Sequence, residues 1–169
     1  MTLIHTALLS EAQAIVERYN LQLVQKNPRI YKNHKIVLIV AKIGKENTIK
    51  NLPFIFKKYK IDKAINIGIA GCSVKSIKIG ELFCVNQQLN NIKTMKLKTV
   101  DTPQVGYVED EALFDMEAKY FKQIAKENLD EKDIFIFKVV SDYLDDTILK
   151  KDFVKKLIAD KLGEIESWI

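Results

Sequence analysis

Glu11, Glu117, Asp142 and the paired glycines Gly68 and Gly71 are the positions at which this chain could do chemistry. In Leu113-Phe114-Asp115-Met116-Glu117-Ala118-Lys119-Tyr120-Phe121, read as a helix, Leu113, Phe114, Tyr120 and Phe121 flank Glu117 at helical spacing. That spacing points Glu117 toward a core or a pocket. An ionised carboxylate away from water is costly, so this position requires a structural partner, a raised pKa or a polar ligand such as a sugar diol. A satisfied ion pair or a place on the helix rim is the structural alternative. Glu11 sits where an apolar run gives way to a helical pattern, and a favourable partnership with the helix dipole accounts for it equally well. Gly68-Ile69-Ala70-Gly71 lets a backbone turn sharply and approach a ligand closely, although a tight turn needs nothing more.

Stepping along the chain, residues 2–9 read as a buried strand, and Ser10-Glu11-Ala12-Gln13 opens a helix with Ser10 as N-cap and Gln13 closing a capping box. Short strands are predicted around 21–25 and 29–32, with Asn27-Pro28 as the turn, and a stronger one over 35–41. A glycine turn at Gly44 leads into a helix over about 46–60, with Ile49, Leu52, Phe56 and Tyr59 at helical spacing. Further strands are predicted at 64–70, 79–85, 94–100 and 133–140, the last a nearly continuous apolar run, as in a strand covered on both faces. Helices are predicted over 111–128 and 147–166, the latter with Phe153, Val154, Leu157, Ile158 and Leu162 as its buried stripe. Strands alternating with helices make this an α/β fold, in which ligands collect beyond the carboxyl ends of the strands. Glu11, Gly68–Gly71 and Ser141-Asp142 all fall at such ends.

A chain of 169 residues, 47% hydrophobic and 29% charged, suits a single domain spanning 1–169. No apolar run approaches the ~20 residues that cross a bilayer. Met1-Thr2-Leu3-Ile4-His5 lacks the basic start and long apolar core of a secretory signal, so the expectation is a cytoplasmic protein that engages no membrane. Cys72 and Cys84 fit neither a disulfide framework nor a zinc pattern, and no metal site is indicated. The net charge of +5 comes from lysines interleaved with acids, which describes a solvated surface and not a nucleic-acid interface. The arginines, Arg18 and Arg29, lie outside the candidate segments, which leaves little to grip a phosphate bidentately. His5 and His34 read as packing or surface residues.

With these residues in view, the chain resembles the nucleoside phosphorylase and nucleosidase superfamily, most nearly the methylthioadenosine/S-adenosylhomocysteine nucleosidase type. Ala7-Leu8-Leu9-Ser10-Glu11-Ala12 is similar to the first strand-to-helix turn of those enzymes. Ile43-Gly44-Lys45-Glu46-Asn47 resembles their Gly-Lys-x-Asn turn, with Lys42 where the pattern has its first glycine. Asn66-Ile67-Gly68-Ile69-Ala70-Gly71 resembles Asn-x-Gly-Ser-Ala-Gly, with Ile69 for serine. Phe114-Asp115-Met116-Glu117-Ala118 resembles the Asp/Glu-Met-Glu signature, and Lys138-Val139-Val140-Ser141-Asp142 resembles Arg-x-x-Ser-Asp, with Lys138 for arginine. The motifs keep their order over nearly the whole length. Relative to typical members the chain is shortened between Gly71 and Asp115, and Thr99-Val100-Asp101-Thr102-Pro103 resembles a segment of shorter relatives.

The resemblance implies a single three-layer α/β/α domain around a mixed sheet and hydrolysis of the N-ribosidic bond of a purine-type nucleoside, without a cofactor. It implies Glu11 and Asp142 as catalytic residues, acting on water and on the purine. Ile69, Ala70, Gly71, Asp115, Met116, Glu117, Lys138 and Ser141 are implied as substrate-binding, with Met116 and Glu117 at the ribose. A homodimer is implied in the same way. A carboxylate at the first turn would repel phosphate, so water is the expected acceptor. The alternatives are a phosphate-dependent phosphorylase, a nucleoside-binding protein impaired in catalysis, and an assembly protein that keeps only the fold.

Overall fold

The computed structural model describes residues 1–169. In chain order its elements are β1 (Thr2–Thr6), α1 (Leu9–Arg18), β2 (Gln22–Lys26), β3 (Arg29–Lys32), β4 (Ile36–Val40), α2 (Lys45–Lys58) and β5 (Lys63–Cys72). There follow β6 (Leu82–Cys84), β7 (Leu97–Thr99), β8 (Leu113–Asp115), α3 (Ala118–Lys126), β9 (Ile134–Asp142), α4 (Lys151–Ala159) and α5 (Leu162–Ile165). No helix is long and apolar enough to cross a membrane.

The centre of the sheet is four parallel strands in the order β4-β1-β5-β9. Strands buried on both faces must be apolar at successive positions, and β4 (Ile-Val-Leu-Ile-Val) is buried throughout. Alternate side chains feed opposite layers. Ile4, Leu38, Ile65 and Phe137 join one core with Ile15 of α1 and Ile158 of α4, whereas Leu3, Ile39 and Ala64 join the other with Leu52 and Ile55 of α2 and Phe121 of α3. The result is a three-layer α/β/α arrangement around a mixed sheet, as the alternation of elements predicts. The antiparallel β2-β3-β4 meander extends one side, and β6 pairs antiparallel with β9 on the other.

The sheet forks at the carboxyl end of β5. Up to Ala70 that strand is hydrogen-bonded to β9. The register then slips by one residue, and Gly71 and Cys72 also pair with Phe114 and Leu113 of the antiparallel β8. Strands β9 and β8 diverge from this point and leave a hollow between them.

Several sequence expectations are corrected. The helix over 111–128 is in fact β8, a two-residue junction and then α3, so Glu117 stands at the N-terminus of the helix and not in the middle of an oily face. Strand propensity in Leu113-Phe114, satisfied by pairing with β5 and β7, overrides the helical spacing. Ser10 is not the N-cap of α1. Leu8 is, and the Glu11 side chain satisfies its N–H. The terminal helix starts at Lys151, and α4 ends at Ala159 before the short α5. Phe153, assigned to a buried stripe, is exposed, as is Ile49 of the helical repeat in α2, and Thr48 and Ile55 are among the buried residues of α2.

Candidate active site

All the residues nominated from the sequence except Gly68 and Lys138 line a single cavity of about 340 Å³ at the forked end of the sheet. Its floor is the Ile69–Gly71 backbone, Glu11 and Glu117 stand on one side, and Ser141 and Asp142 on the other. Segments 103–105 and 144–148 make the outer wall.

Glu11 reaches this floor because β1 stops at Thr6 and the chain turns directly into α1. Its Oε2 accepts the N–H groups of Ala7 (3.0 Å) and Leu8 (2.8 Å), and its Oε1 accepts the N–H of Ile69 (3.0 Å). The carboxylate thus has both roles allowed by the sequence: it completes the first turn of the helix and lies against the glycine strand. Burial raises its pKa to about 7, against the opposing pull of those N–H groups and of Lys138. A carboxyl group held near neutrality is suited to accepting a proton at physiological pH. Gly68 is what admits it, since a Cβ there would lie 3.0 Å from Glu11 Oε1 and 3.4 Å from Lys138 Nζ.

Glu117 accepts a hydrogen bond from the Gly44 N–H (2.8 Å), which ties the turn before α2 to the cavity. Burial raises its pKa as well, opposed by Lys138 and by the Gly44 N–H. Asp115 is used inside the protein. Its carboxylate takes Lys138 Nζ (2.8 Å), Thr99 Oγ1 (2.6 Å) and the Ala118 N–H (2.8 Å), the last capping α3. Burial works against the Asp115 charge, but Lys138 beside it, with these hydrogen bonds, holds its carboxyl below the usual range. Lys138 is itself enclosed beneath the floor. Burial disfavours its charge, yet Asp115, Glu117 and Glu11 together keep the ammonium group raised above its ordinary pKa.

The one buried lysine is therefore paired with Asp115, and Glu11 and Glu117 remain without a cationic partner in contact. Across the cavity, Asp142 Oδ2 accepts from Ser141 Oγ (2.6 Å) and its Oδ1 from the Leu144 N–H (3.0 Å). A Cβ at Gly71 would lie 2.7 Å from Leu144 Cδ2 and 3.0 Å from Asp142 Oδ1, so the glycine lets the Asp142 loop close over the fork. No group of three or more His, Cys, Asp or Glu is placed to hold a metal ion.

Sequence reasoning missed two contributors. Thr99 fixes Asp115 and also accepts the Lys119 N–H (3.1 Å), and Gly44 donates to Glu117; both lie in segments whose pattern was recognised but whose atoms had no assigned task. Arg29, read as outside the candidate segments, does not line this cavity. Its register opposite Val40 brings it to the end of β4, where it lines a second depression beside the cavity.

The same fold is found in solved structures. The 5′-methylthioadenosine/S-adenosylhomocysteine nucleosidase of Helicobacter pylori superposes with a TM-score of 0.81 at 15% identity, over 99% of this chain and 96% of that one. The futalosine hydrolase of Helicobacter pylori gives 0.81 at 14%, over 99% and 96%. A variant MTAN of Chlamydia trachomatis with MTA bound gives 0.81 at 19%, over 99% and 98%. The chain has the nucleosidase fold. In sequence it is 26% identical to the aminodeoxyfutalosine nucleosidase of Helicobacter pylori over 107 residues, which are 63% of this chain and 45% of that protein. The match thus spans about half the length of that relative. No family model matches.

Proposed function

We propose that this protein hydrolyses the N-ribosidic bond of a purine-type nucleoside and releases the free base. The observation that carries the reading is the convergence of Glu11, Glu117 and Asp142 on one hollow, while the buried lysine is held by a different acid, Asp115. The likeness in fold to nucleosidases and the partial sequence match to an aminodeoxyfutalosine nucleosidase support it.

In this mechanism the base lies toward Asp142 and the sugar over the Ile69–Gly71 floor. Asp142 gives its proton to a purine ring nitrogen as the C1′–N bond breaks, and the bonding pair leaves with the base. Glu117 binds the ribose hydroxyls and places negative charge beside the developing ribosyl cation. Glu11 takes a proton from the water whose oxygen bonds to C1′. Asp115 and Lys138 position these groups from below, and neither needs to touch substrate. Water is favoured over phosphate because the cavity is lined by Glu11, Asp115, Glu117, Asp142, Asp145 and Asp146 and by no lysine or arginine.

The test is base release from a panel of purine nucleosides with and without inorganic phosphate. Release without phosphate is expected, and strict dependence on phosphate would overturn the choice of acceptor. Unchanged turnover in both Asp142→Asn and Glu117→Gln would overturn the assignment of the site. A homodimer is part of the same proposal, supported by the exposed Val105, Tyr107 and Ile148 at and near the outer wall.

A further inference from the structure

Leu144, just beyond Asp142, has φ +60°, a left-handed backbone that leucine seldom adopts, and it is buried to 4% exposure. A strained conformation of this kind persists only where its surroundings hold it. Two sets of contacts do so. The leucine side chain is seated in the fork of the sheet, packed with Ala112 and Phe114, and its Cδ2 would lie 2.7 Å from a Cβ at Gly71. The Leu144 carbonyl accepts the Gly106 N–H (2.8 Å) from segment 100–112, which connects β7 to β8.

That connection is itself fastened at both ends. Near its start, Tyr120 Oη of α3 donates to Asp101 Oδ1 (2.7 Å). Near its end, Ser73 Oγ donates to the Asp110 carbonyl (2.7 Å) and accepts the Ala112 N–H (2.9 Å). Between these points Val100 and Val108 pack on the cluster of Ala112, Phe114 and Leu144. Segment 100–112 thus bears on Leu144 both through apolar side chains and through a backbone hydrogen bond.

The consequence falls on Asp142, whose two oxygens are both engaged, Oδ2 by Ser141 Oγ (2.6 Å) and Oδ1 by the Leu144 N–H (3.0 Å). The serine hydroxyl can rotate to follow the carboxyl group, whereas the N–H is fixed by the peptide plane at Leu144. We propose that Leu144 is a positioning residue for the acid: its side chain, pegged into the fork and latched to segment 100–112, holds the left-handed turn that aims the Asp142 carboxyl group at the base. This rests on the proposed function, in which Asp142 protonates the departing purine.

A purine leaves with a proton from Asp142, whereas the phenolate of p-nitrophenyl β-ribofuranoside leaves with its bonding pair and needs no proton. In both reactions Glu11 takes a proton from the water that bonds to C1′. The experiment therefore compares kcat for a purine nucleoside and for this aryl riboside in the full chain and in Leu144→Gly, Leu144→Met, Gly106→Pro and Asp142→Asn. Glycine suits the left-handed backbone but removes the peg, and methionine restores its bulk. Proline removes the N–H that holds the Leu144 carbonyl, in an exposed stretch where a Cβ at Gly106 would meet nothing within 4 Å. The expected result is a purine-to-aryl ratio of kcat that falls about 10-fold or more in Leu144→Gly and Gly106→Pro and recovers in Leu144→Met. Adding Leu144→Gly to Asp142→Asn should cause no further loss, and this double variant reads the coupling on the purine nucleoside alone. A residue that only supports the fold harms both substrates alike. Equal loss on both substrates, loss on neither, or additive losses in the double variant therefore overturns the inference. Should circular dichroism show Leu144→Gly unfolded, Gly106→Pro with the same two substrates decides. A wild type that releases base from no purine nucleoside defeats the hydrolytic reading and the inference together. Wild-type release with an unchanged ratio in the variants defeats the inference alone.

Discussion

Glu11 is held by three backbone N–H groups, yet its burial to 2% exposure raises its pKa to about 7 against the pull of those groups and of Lys138. Two consequences follow from the same number. As a base it must be ionised, so kcat/KM should rise with pH to a midpoint near 7, and Glu11→Gln should lower turnover by ~10²–10⁴ and remove that limb. As a buried acid whose folded-state pKa lies above the ordinary 4.5, it binds its proton more tightly folded than unfolded. Its contribution to stability is therefore full below 4.5 and lost as pH rises to about 7, and thermal unfolding of Glu11→Gln should vary less with pH across that window. Lys138 and Asp115 carry the opposite lesson. Lys138→Met leaves a buried carboxylate unpaired and should cost about 3–5 kcal/mol in chemical denaturation. At this scale the sequence was informative about types and not about partners. The placement of Glu117 among apolar residues was legible, but the helical face invoked for it does not exist, and a strand-to-helix junction delivers the same side chain.

The elements that position these residues are mostly readable in the chain because parallel strands must be apolar on both faces. The runs that became β4, β5 and β9 announce themselves in this way. The short strands β6, β7 and β8 do not, since at three residues each they are defined by the neighbours they pair with and not by a period of their own. The place of Arg29 opposite Val40 is likewise a fact of register, which no local pattern specifies. The fork itself depends on Gly71. Gly71→Ala would drive a methyl group against Leu144 and Asp142, so the Asp142 loop must move. A displacement of that size should cost up to about 100-fold in kcat while circular dichroism still reports a folded chain.

The whole molecule places every candidate acid on one rim and leaves Tyr107 90% and Ile148 94% exposed near the open side of the cavity. Large apolar side chains that stand free in this way mark a surface for association. The proposed homodimer therefore predicts that Tyr107→Glu combined with Ile148→Glu lowers the sedimentation coefficient and raises KM, as the wall of the cavity loses its cover. An unaltered sedimentation coefficient with unaltered kinetics would count against the proposed homodimer through this surface.

Segments 103–105 and 144–148, which wall the outer side of the cavity, belong to no strand or helix and contribute no side chain to the two main cores. Glu11 and Glu117 are fixed at the N-terminal ends of α1 and α3, while this collar lies outside them. Under the proposed function, exchanging collar side chains should therefore change which nucleoside is preferred at little cost to folding.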